Sequence, residues 1–228
     1  KDYYFNGNID KWVAFAKSLK LKLLMKDFNA KQGEISSLLS AGGLLAEDCK
    51  VTCWEDATNK GNPFYESNIR QLNTQENVRA CHTFIEYMVA NNDVRLNNIF
   101  EPTFDASQSG ATSLREKFEG LPYGTKPPTS GDGGVAITSS SRYLQAWNDP
   151  VYIMNEAESY FTQAEAYARL GEVAKAKAAY EAGVLAGFAR WGYDGSSYIA
   201  EGGVYQFDEA NMVECIMTQK WVSYAKAN

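Results

Sequence analysis

The stretch from Val151 to Phe188, VYIMNEAESYFTQAEAYARLGEVAKAKAAYEAGVLAGF, predicts two helices joined by a turn. Tyr160, Ala164 and Tyr167 follow one another at spacings of four and three, so they line one face of a first helix. Leu170 and Gly171 bring that helix to a stop. In the second helix Ala176, Ala179, Tyr180 and Gly183 recur at three and four, with small residues where a neighbouring helix must approach closely. A single helical hairpin of this kind cannot bury its apolar face alone. Partner helices must come from elsewhere in the chain or from residues beyond it.

The order of aromatic and small residues is the tetratricopeptide pattern, with Tyr160 where that repeat usually has Trp and Phe188 where it often has Pro. Working outward, the expected fold class is mainly α with minor β: this hairpin packed with further helices and long aromatic-rich loops. The 228 residues allow one large or two small domains, and 45% hydrophobic residues is ordinary for a globular core. We read residues 1–228 as a single segment, with the hairpin at 151–188 and a long loop region at 97–150.

Charge and composition exclude several classes. A net charge of −6 and a pI near 5.0, with no basic stripe, argue against nucleic acid. No apolar run approaches a membrane span; the longest, Leu19 to Met25, is interrupted by Lys20 and Lys22. Lys1 opens with neither an initiator Met nor a signal peptide, and the last helix is still periodic at Asn228, so both ends read as cut from a longer precursor. Four cysteines with no C-x-x-C pair and a single His82 give no zinc site, and no metal or cofactor is expected. Cys49 and Cys53 could bridge if the chain bends there, or stand as buried or unpaired thiols.

Taken in order, Asp10 is the expected N-cap of a helix from Lys11 to Asp27, with Trp12, Phe15, Ala16, Leu19 and Leu23 as its apolar stripe. Lys11, Lys17, Lys20, Lys22 and Lys26 then form a solvated face. A short helix from Glu34 to Ala41 ends at Gly42 and Gly43, and Cys49 to Trp54 reads as a strand. Asn73 and Glu76 resemble a capping box opening a helix to Ala90 whose buried face holds Val78, Cys81, Ile85, Met88 and Val89. The last helix opens near Asp208 and presents Val213, Ile216, Met217 and Tyr224 on one side.

Two loops are rich in aromatics, which either pin them to the helices or face a ligand. The first, within 97–150, carries Phe118, Tyr123, Arg142, Tyr143 and Trp147; the second, Ala189 to Phe207, carries Arg190, Trp191, Tyr193, Tyr198 and Tyr205.

Five stretches, in this order, give the chain a resemblance to the SusD/RagB family of outer-membrane nutrient-binding lipoproteins, in its SusD-like branch. They are YYFNGNIDKWVAFAKSLKLKLLMK (Tyr3 to Lys26), NPFYE (Asn62 to Glu66), NDVRLNNIFEP (Asn92 to Pro102), FEGLPYG (Phe118 to Gly124) and the hairpin through YEAGVLAGFARWG to Gly192. Val94 stands where the family's N-D-P-R-L has Pro. The order matches the latter part of such proteins, which carry further helical repeats upstream. The resemblance implies an outward-facing outer-membrane protein, anchored by a lipid lying outside this segment. It further implies an oligosaccharide ligand and a SusC-like TonB-dependent transporter as partner.

The residues themselves are compatible with sugar. Flat C–H faces stack on Trp and Tyr, and hydroxyl rims bond to Arg and Asn. The expected ligand-binding residues are Trp147, Tyr143, Arg142, Tyr123, Trp191 and Tyr193. Catalysis is not expected. Glu158 and Glu165, seven apart on one helix, stack on one face as polar or capping residues rather than flanking a glycosidic bond. The alternative is a tetratricopeptide-type adaptor binding peptide on its concave helical face.

Overall fold

The computed structural model describes residues 1–71, 78–125 and 140–226. It is mainly helical and divides into two compact units, residues 1–52 with 150–228 and residues 53–149. In chain order the first unit begins with α1 (Ile9–Leu24), α2 (Phe28–Ala41) and β1 (Cys49–Val51). The second holds α3 (Pro63–Tyr65), which runs into a π-helical turn Glu66–Gln71, then α4 (His82–Ala90), α5 (Leu96–Ile99), α6 (Phe104–Ser109) and α7 (Leu114–Lys117). The chain returns to the first unit through β2 (Val151–Met154), α8 (Glu156–Arg169), α9 (Val173–Ala189), α10 (Ser196–Ile199) and α11 (Met212–Ser223).

The hairpin is α8 and α9, but its first residues are not helical. Val151–Met154 pairs antiparallel with β1, Cys49 opposite Met154, and the helix starts only after Asn155, whose Oδ1 accepts from the Glu158 amide at 2.8 Å. An apolar run adjoining a helix has no period of its own, so its strand character comes from the partner strand. Phe161, Ala164, Tyr180, Gly183 and Val184 are buried between the helices. A Cβ at Gly183 would lie 2.8 Å from the Phe161 ring, which is why a glycine stands there.

α1 begins earlier than expected. Asn8, not Asp10, is its N-cap, accepting from the Lys11 amide at 3.1 Å. Its buried residues are Ser18 and Leu21, while Ala16, Leu19 and Leu23 are exposed. Where α1 meets α8 the contact is small and polar. The Ser18 and Ser159 hydroxyls lie 3.2 Å apart, the Leu45 amide donates to Ser18 Oγ at 2.8 Å, and Ser159 Oγ donates to the Leu45 carbonyl at 2.6 Å. A stripe search on apolar residues passes over such a face. α2 is longer than expected and stops at Gly42, which takes φ +61°.

α11 likewise buries a mixed face. Ile216, Gln219, Lys220, Val222 and Ser223 are inside, while Val213 and Met217 are exposed. The reason lies in α8. Glu165 stands 3.6 Å from Lys220 Nζ and 2.9 Å from Arg169, and the fully buried Glu158 meets Lys22 at 2.5 Å and accepts from the Tyr224 hydroxyl at 3.1 Å. Burial holds Lys220 below the usual lysine range, with Glu165 and Glu158 opposing that shift, and burial beside Glu158 pushes the Tyr224 phenol up. The two glutamates are therefore ion-pair partners between helices, and Lys22 is not part of a free solvated face.

All four thiols are free. Cys49 is buried, and burial first, then Asp2 and Glu47, pushes it up to about 11. No helix among the described residues is long and apolar enough to cross a membrane.

The loop before α1 is closed by Asp2. Its carboxylate accepts from the Gly7 amide at 2.7 Å, the Tyr4 amide at 2.9 Å and Trp12 Nε1 at 2.9 Å. These bonds, Gly7 first, hold Asp2 at about 2, below its ordinary 3.8. A depressed carboxylate stabilises at pH above its unfolded value and loses that contribution as pH falls through the folded one. The chemical shift of the Trp12 indole proton is expected to move as Asp2 protonates between about pH 4 and about pH 2. In Asp2→Asn that titration should be absent; an unchanged profile would remove the carboxylate from the clasp.

In the second unit the expected helix from residue 73 is corrected. Asn73 and Glu76 lie outside the described residues, and α4 starts at His82. Val78 to Cys81 is extended, and Cys81 is exposed rather than part of a buried face, whereas Ile85 and Met88 are buried as expected. The region read as loop contains α5, α6 and α7. α5 grows from a buried ion pair: Asp93 and Arg95 are 0% and 2% exposed, and Arg95 Nε and its terminal nitrogen reach the carboxylate at 2.9 and 2.6 Å.

Candidate functional site

Residues 140–145 form the middle of a three-segment ribbon in the unit of residues 53–149. On one side the Ala80 amide donates to the Ser141 carbonyl at 2.9 Å and the Tyr143 amide to the Val78 carbonyl at 3.2 Å. On the other, the Glu101 amide donates to the Arg142 carbonyl at 2.9 Å and the Leu144 amide to the Ile99 carbonyl at 3.0 Å. Backbone bonding on both edges makes Arg142 and Tyr143 fixed groups rather than loop-tip side chains. Arg142 is bridged opposite Arg79, and Tyr143 opposite Phe100.

Tyr143 belongs to a chain of edge-to-face rings. Its centroid is 5.5 Å from Phe100 and 6.2 Å from Phe64, and Phe100 is 5.9 Å from Phe84. Phe64 is positioned by Asn62, whose Oδ1 caps α3 by accepting from the Phe64 and Tyr65 amides at 2.8 and 3.2 Å.

The ion pair of Arg142 with Glu101 borders two clefts. The larger, of about 610 Å³, adds Arg79, Pro102, Phe104, Ser107 and Ser140, and its size lies in the range of small-molecule sites. The smaller, of about 140 Å³, adds Tyr65, Ile69, Tyr143 and Gln145. A third opening of about 450 Å³ is lined by Trp54, Asn59, Glu66 and Gln71 among others, but Glu66 already serves the Gly61 amide at 3.0 Å and the Asn59 amide at 2.9 Å.

Of the six residues singled out in the sequence, the structure brings Arg142 and Tyr143 together. Trp147, in the same unit, is half-buried, and its carbonyl accepts from the Asn62 amide at 2.7 Å. Tyr123, also in that unit, is fully exposed in a turn. Trp191 and Tyr193 belong to the other unit. Trp191 carries the Arg190 guanidinium at 4.9 Å and the Lys226 ammonium at 5.7 Å over its ring, and the Tyr193 amide donates to the Phe188 carbonyl at 3.1 Å. Tyr198 and Tyr205 pack on Phe188. His82 opens α4, half-buried, 3.9 Å from Glu119.

Arg79, Glu101 and Phe104 are the cleft residues that sequence reasoning passed over. Arg79 fell within an expected helix. Phe104 is 68% exposed, and the Thr103 cap that starts α6 beside it was the one local signal.

The chain matches, over residues 1–226, the family model SusD-like_2, described as starch-binding associating with outer membrane. It belongs to this SusD-like family. Among solved structures, a SusD homologue from Bacteroides uniformis is 25% identical with a TM-score of 0.76, aligning 97% of this chain with 50% of that one. A chitin-binding SusD homologue from Flavobacterium johnsoniae is 20% identical with a TM-score of 0.71, again over 97% of this chain and 50% of that one. A third, from Bacteroides fragilis, shares the fold at 17% identity and a TM-score of 0.76, over 99% and 54% of the two chains. The SusD-like chain thus spans about half the length of these relatives. A comparison with curated proteins finds no match.

Proposed function

We propose that this SusD-like chain binds an oligosaccharide at the clefts flanking Arg142, as part of a protein on the outer face of the outer membrane, held there by a lipid anchor. The bound glycan passes to a SusC-like TonB-dependent transporter. The observation that carries this reading is the Arg142–Glu101 pair standing between Tyr143 on one side and Phe104 on the other. It supplies hydrogen-bonding groups beside aromatic surface, the combination that a sugar ring's hydroxyl rim and C–H face require. The family description and the chitin-binding relative support the ligand class.

The peptide-adaptor reading has less support. α8, the first repeat helix, packs against α1, α9 and α11 and buries nine of its residues, Ala157 to Ala168 among them, so little of it remains for a peptide.

The test is affinity electrophoresis and calorimetry of the chain against soluble polysaccharides and their oligomers, with Arg142→Ala and Trp191→Ala alongside. Saturable binding of one glycan, weakened about tenfold or more in Arg142→Ala and unchanged in Trp191→Ala, is the expected result. Loss in Trp191→Ala with retention in Arg142→Ala would move the site to the other unit. Absence of any glycan binding by the folded chain would overturn the reading.

A further inference from the structure

The two clefts that share the Arg142–Glu101 pair differ in what they can hold. The larger, about 610 Å³, lies in the range of cavities that take up a whole small ligand, whereas the smaller, about 140 Å³, falls below the roughly 300 Å³ where that range begins. A ligand seated in the larger cleft can therefore place no more than a substituent in the smaller one. The lining of the smaller cleft says which substituent suits it.

Three kinds of group come together there. Glu101 supplies an acceptor: its Oε2 takes the Arg142 guanidinium, while its Oε1 accepts from no donor among the described residues. A carboxylate accepts hydrogen bonds and gives none. Gln145 supplies a donor. Its Oε1 already accepts from Asn68 Nδ2 at 3.2 Å, so the amide nitrogen is the group it has left to offer. Ile69, with the rings of Tyr65 and Tyr143, supplies apolar wall.

These parts are set by backbone bonds made before any ligand arrives. Asn62 Oδ1 holds the Tyr65 amide at 3.2 Å, the Glu101 amide donates to the Arg142 carbonyl at 2.9 Å, and Leu144, next to Gln145, donates its amide to the Ile99 carbonyl at 3.0 Å. A pocket already ordered loses little freedom on binding. An acetamido group presents the complementary set: an N–H for a carboxylate, a carbonyl for an amide nitrogen and a methyl group for an apolar wall. A hydroxyl on the same ring carbon lacks the carbonyl and the methyl, and an acetyl ester lacks the N–H.

We propose that the smaller cleft is an acetamido pocket, and that the chain selects glycans built from N-acetylated amino sugars. Gln145 and Ile69 are its specificity-determining residues. The inference rests on the glycan-binding reading above and deepens it: the sugar ring lies in the larger cleft with Phe104, and its acetamido group reaches past the Arg142–Glu101 pair.

The experiment is calorimetry of the 228-residue chain against oligomers of N-acetylglucosamine and of glucose, equal in length and linkage, beside a panel of other soluble neutral polysaccharides. The N-acetylglucosamine oligomer is expected to bind about tenfold or more tightly than the glucose oligomer, because the site's polar groups go unpaired without the amide. Gln145→Glu removes the donor, and Ile69→Phe fills the space of the methyl group. Each should weaken the N-acetylglucosamine oligomer about tenfold and narrow its lead over glucose. Circular dichroism and a cooperative melt establish that both variants are folded.

A lead that survives in both folded variants overturns the pocket assignment, as does equal weakening of the two oligomers. Binding of glucose or another panel glycan at least as tightly as N-acetylglucosamine overturns acetamido selection and leaves the glycan reading standing. No binding of any glycan by the folded chain overturns both.

Discussion

Asp93→Ala is expected to destabilise the unit of residues 53–149 by about 3–5 kcal/mol, the range for removing one partner of a buried ion pair. Asp93 and Arg95 are 0% and 2% exposed, and the guanidinium reaches the carboxylate through Nε at 2.9 Å and a terminal nitrogen at 2.6 Å. Asp93 Oδ1 also accepts from the Arg95 amide at 3.0 Å, so the carboxylate organises the turn into α5 as well as neutralising the cation. Alanine takes the Asp93 carboxylate away from the buried cation and from the turn's amide. Urea unfolding of both forms measures the difference. A paired replacement, Asp93→Leu with Arg95→Met, should recover much of the loss, because an apolar pair avoids desolvating charge. A loss below about 1 kcal/mol in Asp93→Ala would mean that the pair lies open to water in solution. The consequence reaches the site. α5 ends at Ile99, whose carbonyl holds Leu144, and Glu101 follows directly.

Phe188→Ala is the second large effect, about 3–5 kcal/mol, from lost burial and the cavity left behind. Phe188 is 0% exposed at the end of α9. It holds Tyr198 at 4.5 Å and Tyr205 at 6.4 Å between ring centroids, and those two rings stack at 5.6 Å. The Tyr180 hydroxyl donates to the Tyr205 carbonyl at 2.9 Å, so one aromatic cluster fastens residues 196–207 to the hairpin. Denaturant unfolding should show the loss, and amide exchange between residues 196 and 207 should accelerate more than exchange in α8. Tyr193→Ala, at a half-buried residue, should have a much smaller effect. If the two variants matched, the cluster would not be what holds the segment.

How much of this was legible before the fold is clearest residue by residue. Tyr160 to Phe188 announced a helical hairpin because its aromatic and small residues keep the helical period, a local property that any packing of α8 on α9 must use. Gly42 announced the end of α2 for an equally local reason. Ser18, Glu158 and Lys220 were not legible as interior residues. Polar side chains enter a core only when a specific partner waits there, and those partners lie on other helices. Val151–Met154 looked helical until β1 supplied a strand beside it.

The site divides the same way. Composition and aromatic excess brought Trp147, Tyr143 and Arg142 into view first, and Tyr123, Trp191 and Tyr193 after them. The folded chain hydrogen-bonds residues 141–144 to segments on both edges and sets Arg79 and Glu101 at the same cleft as Arg142, an arrangement that composition does not encode. By itself, then, the sequence determined the helical class, the repeat hairpin, the acidic balance and the family resemblance. These depend on residue type and spacing along the chain. Tertiary structure decided which polar groups are buried, where the helices α1 and α11 turn their inner faces, and which charges meet in the cleft. Those depend on contacts between residues far apart in sequence, which periodicity does not encode.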